Sequence, residues 1–375
     1  MRNEFRAIVV AAAAFALAGG AIAPARAIPL FAERYRLQCE SCHTVIPELN
    51  AFGIFFREHG YRLPVPRHGT LGVALRYQLE YEKDPVNARR YTPGGVLLSN
   101  ADIGAISAFV HYNLGAGGGP SGLYLGYLAS YNAHTNALYR AGLFELPVLQ
   151  SPGQRLDDLQ QYGYYGAHVG LNDLTLAAPR WGVQYERTVG VTVVDAIADL
   201  GEFKGAPYGG IPIPTGAITS AAAPEFGFFV KSALSQSTTV GGEVMSGSRA
   251  IALTGKPAFD DVYTREGLLA QVTRDKLEAT AEQWWGRDAN ADGFGTAIGS
   301  SGGYLRVKYY VNPHAYLGVR YDAFANPTIA RDWVYYGAFM LLPDTRLVLQ
   351  NVQSVGGSGH FGGAITVGLP WPPKT

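Results

Sequence analysis

Cysteine is almost missing from this chain of 375 residues: there are two, Cys39 and Cys42. One pair at most excludes a multiple-disulfide scaffold and a four-thiolate metal site. Methionine is nearly as scarce, with Met245 and Met340 the two beyond the first residue. Charge is low at 16% and balanced, 30 basic residues against 30 acidic, so there is no basic field to attract nucleic acid. Long apolar runs are also lacking. Past the opening stretch no 18 consecutive apolar residues occur, which excludes membrane-spanning helices.

The opening stretch is a processing segment. Arg2 and Arg6 give a positive start, Ala7 to Ala23 is apolar and small, and Ala25-Arg26-Ala27 is an A-x-A-like cleavage site. Residues 1–27 are therefore expected to be a signal peptide, and the rest to be exported.

Export alters what the two cysteines mean. An isolated pair would by default form a disulfide. Cys39 and Cys42 are instead followed directly by His43, giving C-x-x-C-H, the attachment signature of a c-type haem. Each thiol can add to a haem vinyl group while the adjacent imidazole ligates the iron. A thioredoxin-like C-x-x-C would need a βαβ setting, which the pattern around it lacks. One covalent haem c is expected, with Cys39 and Cys42 as thioethers and His43 as axial ligand.

What the chain has in plenty is Gly (47), Tyr (23) and Phe (17), set in alternation. From Thr70, Val73, Leu75, Tyr77, Leu79 and Tyr81 point one way and Arg76, Gln78 and Glu80 the other, the period of a two-sided strand. Leu305, Val307 and Tyr309 alternate with Arg306 and Lys308, and beyond Asn312-Pro313-His314, Leu317, Val319 and Tyr321 alternate with Arg320 and Asp322. Nine strands are expected near 225–234, 238–249, 261–273, 276–285, 302–311, 315–323, 332–341, 345–355 and 361–369. Their joints alternate in length. Those at 235–237, 274–275, 312–314 and 342–344 are short, while those near 200–224, 250–260, 286–301 and 324–331 are longer and Gly-rich. A sandwich has no reason to sort its loops by side; an outer-membrane barrel does.

Seven further strands are expected near 71–82, 101–113, 122–132, 138–146, 161–171, 180–188 and 190–199. The fold class is all-β: an antiparallel outer-membrane β-barrel of about sixteen strands over 67–375, with lipid outside and both termini periplasmic. The joint at 147–160 is too long for a periplasmic turn, so a strand is misplaced there or the segment folds inward. A barrel of this size leaves an aqueous interior unless something occupies it. Residues 28–66 are the expected occupant, a small helical haem-binding plug. Pro47 suits the first turn of a helix running to about His59, with Gly60 as its stop. Val45, Leu49, Phe52, Phe55 and Phe56 form its apolar stripe, able to cover a haem edge.

The string CESCHTVIPELNAFGIFFREHGY, Cys39 to Tyr61, resembles the N-terminal segment of the outer-membrane monohaem cytochrome–porin fusions, including the iron-oxidising outer-membrane cytochromes. The shared elements are C-x-x-C-H, Pro47-x-Leu49, Phe52-Gly53, Phe56 and Gly60-Tyr61, followed by a porin-like barrel. The resemblance implies Cys39 and Cys42 as haem tethers and His43 as proximal ligand. It also implies a role in accepting electrons at the cell surface, for example from Fe(II), and passing them to periplasmic electron-carrier cytochromes.

The second axial ligand is not given by the motif. Met245, Met340, His168 and His59 are candidates, as is no ligand at all, and lumen packing is the commoner role for each. Asp288, Asn290, Asp292 and Gly293 match half of a calcium loop, but its twelfth position is Gly299 instead of Glu. A polar turn is the expected reading. Arg76, Glu80, Arg306, Lys308 and Arg320 are expected to wet the lumen. No catalytic constellation is present. The expected function is single-electron transfer across the outer membrane, with possible Fe(II):cytochrome c oxidoreductase activity. A transport porin with a structural or gating haem plug is the alternative.

Overall fold

A computed structural model describes residues 31, 35, 37, 41–43, 49–58, 61, 63, 71–83, 89–115, 121–148, 158–160, 162–202, 217–253, 255–326, 328–342 and 345–371. The expected signal peptide, Cys39 and His59 lie outside these.

Among the described residues, the strands are β1 (Leu71–Lys83), β2 (Arg89–Ile103), β3 (Ile106–Asn113), β4 (Gly122–Asn132), β5 (Ala137–Phe144) and β6 (Arg180–Val189). Next come β7 (Thr192–Glu202), β8 (Ala217–Ala221), β9 (Glu225–Ser235), β10 (Thr238–Leu253), β11 (Phe259–Arg274) and β12 (Leu277–Asp288). The last five are β13 (Ile298–Asn312), β14 (Ala315–Asn326), β15 (Thr328–Leu342), β16 (Thr345–Ser354) and β17 (Gly359–Trp371). Helix α1 (Ala51–Glu58) precedes them, and a single turn, α2 (Gly163–Gly166), lies between β5 and β6.

These strands form one closed antiparallel sheet. Strand β1 pairs with β2 and with β17, so Leu79 faces Pro93 on one side and Ile365 on the other. Strand β9 covers Thr238–Ser246 of β10, and β8 covers Arg249–Leu253, so β8 and β9 are two pieces of one stave. Seventeen segments therefore make sixteen staves. Closure leaves no edge and pairs the backbone groups within the wall, the condition for crossing a bilayer with strands.

Alternation gives the wall two characters. Leu305, Leu317, Leu268, Phe226 and Val262 point out and are exposed, while Arg306, Lys308, Arg320, Asp322 and Glu282 point in and are buried. Outward apolar and inward polar is the arrangement lipid demands.

Two expected strands are revised. No strand covers 161–171; this stretch holds α2 and a folded-in segment. Expected strand 101–113 is two strands, β3 and the end of β2, joined at Gly104 with φ +59°. The two differences cancel in the total. Strand β2 escapes the alternation pattern because Pro93-Gly94-Gly95 interrupts it. Pro93 is tolerated because β2 pairs with β3 only over Val96–Ile103, leaving the proline's other side without a ladder bond to make. The joint expected to be long at 324–331 is tight, since β14 ends at Asn326 and β15 starts at Thr328.

Candidate functional site

The site is built from the N-terminal segment and the lumen that receives it. Asn50 starts α1: its side-chain oxygen accepts the Gly53 N–H at 2.9 Å, an N-cap that satisfies a first-turn donor. The helix runs over Ala51–Glu58, shorter than the expected span from Pro47 to His59: Leu49 and Asn50 precede it, Leu49 being held in a bridge to His43, and Pro47, Glu48 and His59 lie outside the described residues. Asn50 also ties the helix to the C-x-x-C-H stretch. Its N–H donates to the Cys42 carbonyl at 2.9 Å, and its amide nitrogen donates to Ser41 O at 3.2 Å. His43 bridges to Leu49. Glycine is required at position 53 by close approach, since a Cβ there would collide with the Cys42 carbonyl.

The expected apolar stripe divides in two. Phe56 is buried, packing edge-on against Phe31 (5.2 Å) and Tyr35 (5.4 Å). Phe52, Ile54 and Phe55 are exposed at 37%, 39% and 44%, and the Phe52 and Phe55 rings stack at 6.3 Å. Tyr61 anchors the segment to the wall. It stacks on Phe31 at 4.5 Å and on Phe109 of β3 at 5.4 Å, while its carbonyl accepts the Tyr35 hydroxyl proton at 3.2 Å. Its φ of +59° is unusual for a bulky residue and is held by these contacts. Arg57 and Tyr61 line a polar cleft against Arg140, Glu186, Asp195 and Lys231 of the wall.

Opposite, the segment 158–179 folds into the lumen and bonds to strands around it. Asp158 pairs with Arg320 at 2.6 Å, and the Arg320 guanidinium lies 4.0 Å over the Tyr162 ring. Gln350 accepts the Leu159 N–H at 2.7 Å, and Arg306 donates to the Tyr162 hydroxyl at 3.0 Å. Tyr165 donates to Glu282, and Tyr164 stacks on Trp284 at 5.9 Å. Asn172 donates to Asp261 (2.8 Å) and Asp288 (3.1 Å), and Thr175 O accepts from Arg180 at 2.8 Å. Arg306, Lys308 and Arg320 are therefore not wet, as expected of lumenal charges, but buried and paired. Lumenal arginines and carboxylates supply the bonds that an irregular segment needs inside a barrel.

The half-calcium loop has other employment. Asp288 pairs with Arg265 at 2.9 Å, Asp292 accepts the Phe294 N–H at 2.9 Å, and Asn290 accepts the Gly295 N–H at 2.6 Å. These bonds make it a polar turn.

The candidate second ligands are dispersed. Met245 faces the lumen and is fully buried within β10, and Met340 packs against Tyr316 and its neighbours near the turn end of β15. His168 sits on the inward segment rather than on a strand, where burial lowers its pKa and Asp173 opposes the shift. Sequence patterning did not single out the Tyr61–Phe109 anchor or the lumenal residues that bind 158–179. Lumenal parity was the one available signal for the second group.

No protein-family model matches the chain, and no curated protein sequence matches it. Solved structures do. An anion-selective porin from Comamonas acidovorans aligns at 13% identity and TM-score 0.53, over 80% of this chain and 99% of the porin. OmpT of Vibrio cholerae aligns at 11% and 0.53, over 80% and 97%. Salmonella typhi OmpF, in complex with daunomycin, aligns at 8% and 0.60, over 80% and 97%. At these identities the likeness is one of fold: a porin-like sixteen-stave barrel.

Proposed function

We propose that this chain is a bacterial outer-membrane protein in which a porin-type barrel encloses a plug bearing one haem c, and that it carries single electrons across the membrane. The closed wall with its apolar exterior supports the location. Cys39, Cys42 and His43 would hold the haem, with both termini on the periplasmic side. The part-exposed Phe52 and Phe55 rings lie on the helix whose Gly53 abuts the Cys42 carbonyl, and part-exposed aromatic area gains from covering by a large flat apolar group. When bound, the haem supplies a one-electron Fe(III)/Fe(II) couple whose potential depends on ligation and solvent exposure.

The chain's own residues position that group and exclude water. Asn50 and Gly53 fix the Cys42 backbone against α1, and Tyr61 with Phe109 seats the segment on the wall. The observation that carries the reading is the burial of lumenal charges on β13 and β14. Arg320 and Lys308 are 0% exposed and paired, although they face the barrel interior. An open solute channel keeps such charges hydrated, whereas an electron conduit needs no pore. The donor would be extracellular, such as Fe(II), reacting without a dedicated pocket, and the acceptors would be periplasmic cytochromes.

The second reading is a transport porin whose haem plug is structural or gates the pore. Taken alone, the structural comparisons fit it better, since the aligned proteins are porins. Redox titration of the purified protein, followed by visible spectroscopy, separates the two. Haem reduction on adding Fe(II), with no conductance in planar bilayers, is expected. Conductance together with a haem that Fe(II) does not reduce would establish the porin reading.

A further inference from the structure

The outer face of the wall is not evenly covered. On β7 the outward positions, read towards the β6–β7 turn, are Ala198, Ala196 and Val194. Register sets larger outward side chains against the two alanines on both flanks. Val183 and Tyr185 of β6 stand on one side, Phe226 and Phe228 of β9 on the other. The result is an apolar hollow of about 580 Å³ on the membrane-facing side of the wall, floored by the alanines and reaching past Val183 to Ala141 of β5. At its turn end, β6 places Arg187 on the same outward face, between Ala137 of β5 and Val194 of β7. Arg187 is exposed and forms no salt bridge among the described residues, and its outward neighbours on β6, Tyr185 and Val189, are uncharged. This turn lies at the end of the wall where β1 begins and β17 ends.

Shape and charge together select the occupant. A thin hydrocarbon chain can lie between the flanking side chains and touch the floor. The broad convex wall of a second barrel would rest on Tyr185, Phe226 and Phe228 and leave the alanines uncovered, forfeiting the contacts that make packing favourable. At the rim, a guanidinium binds phosphate through paired N–H donors, and no carboxylate among its outward neighbours competes for it. We propose that the β7 hollow binds one glycerophospholipid, with an acyl chain over Ala196 and Ala198 and its phosphate at Arg187. Ala198 to Val194 spans about 13 Å of strand, so one molecule reaches from the floor to the rim. The proposal rests on the outer-membrane location and on termini that face the periplasm, the side whose leaflet is phospholipid. No part of it depends on the haem.

The test uses the full-length protein in detergent, stripped of lipid and titrated with phosphatidylglycerol under native mass spectrometry. Wild type should retain one phosphatidylglycerol per barrel. Ala198→Phe, which fills the hollow, should lose it. Arg187→Gln should bind on the order of tenfold more weakly, the loss of a charge-assisted hydrogen bond. Diacylglycerol with the same chains should bind wild type weakly and be indifferent to Arg187→Gln. Equal retention by wild type and Ala198→Phe overturns the site, and so does retention that Arg187→Gln leaves unchanged. Preference for lipopolysaccharide over phosphatidylglycerol overturns it too, by placing the rim in the other leaflet. A wild-type oligomer that retains no lipid and that Ala198→Phe disperses would give the hollow to a second copy of the chain. If Ala198→Phe does not fold, Ala196→Leu fills the same floor and is read in the same way. Failure of the membrane location is distinguishable: a barrel recovered from the aqueous phase without detergent strikes location and lipid site together, whereas a detergent-requiring barrel that retains no phospholipid strikes the lipid site alone.

Discussion

Tyr61 of the N-terminal segment stacks on Phe109 of the barrel wall with ring centroids 5.4 Å apart and planes 23° apart. Phe109 continues the stack to Tyr127 at 5.4 Å, so a row of rings joins the described part of the segment to the wall. Aromatic pairs in this geometry add about 0.5–1.5 kcal/mol to the area they bury.

Phe109→Ala removes the receiving ring and should destabilise the docked segment by about 3 kcal/mol. Limited proteolysis should then cut the N-terminal segment while the barrel keeps its heat-modifiable gel mobility. Simultaneous loss of both would mean the anchor supports the whole barrel.

Cys42→Ser should prevent full covalent haem attachment. Haem staining on denaturing gels and pyridine haemochrome spectra should give one haem per wild-type chain and a marked fall in the variant. His43→Ala should alter the visible spectrum even where the thioether bonds form.

Gly53→Ala places a methyl group against the Cys42 carbonyl. The Cys42 backbone cannot yield as a flexible side chain would, and the Leu49 side chain crowds the same position, so a cost of about 1–3 kcal/mol is expected. Haem content per chain should drop, with barrel folding unchanged by circular dichroism.

Arg320→Ala leaves Asp158 and Asp322 buried without their cation. Breaking a buried pair from one side costs about 3–5 kcal/mol, and here the loss falls on the inward segment. Bilayer conductance should appear or increase. Unchanged conductance would show that other ties, such as Tyr162 to Arg306, hold the segment alone.

Much of the barrel could be read along the chain. The stretch from Thr345 to Ser354 was expected almost as it lies, and Leu305 and Leu317 face outward as their alternation required. Only the end of strand β2 falls within an expected strand, because Pro93-Gly94-Gly95 breaks the two-residue period. The strand expected over 161–171 was misread, because Tyr164, Tyr165, Val169 and Leu171 imitate strand patterning in a segment whose bonds go across the lumen.

The amino-acid sequence by itself determined the class of wall and carries the C-x-x-C-H on which the haem proposal rests. Period-two alternation and C-x-x-C-H are local patterns, complete within a few residues. Tertiary structure alone decided which lumenal charges are buried and paired, and which ring receives Tyr61. Asp158 and Arg320 are 162 residues apart in the chain, and their 2.6 Å contact exists only because closing the sheet brings β14 beside the inward segment. No local pattern carries such a pairing, since the energy that selects it, the cost of an unpaired buried charge, arises only once the barrel excludes water.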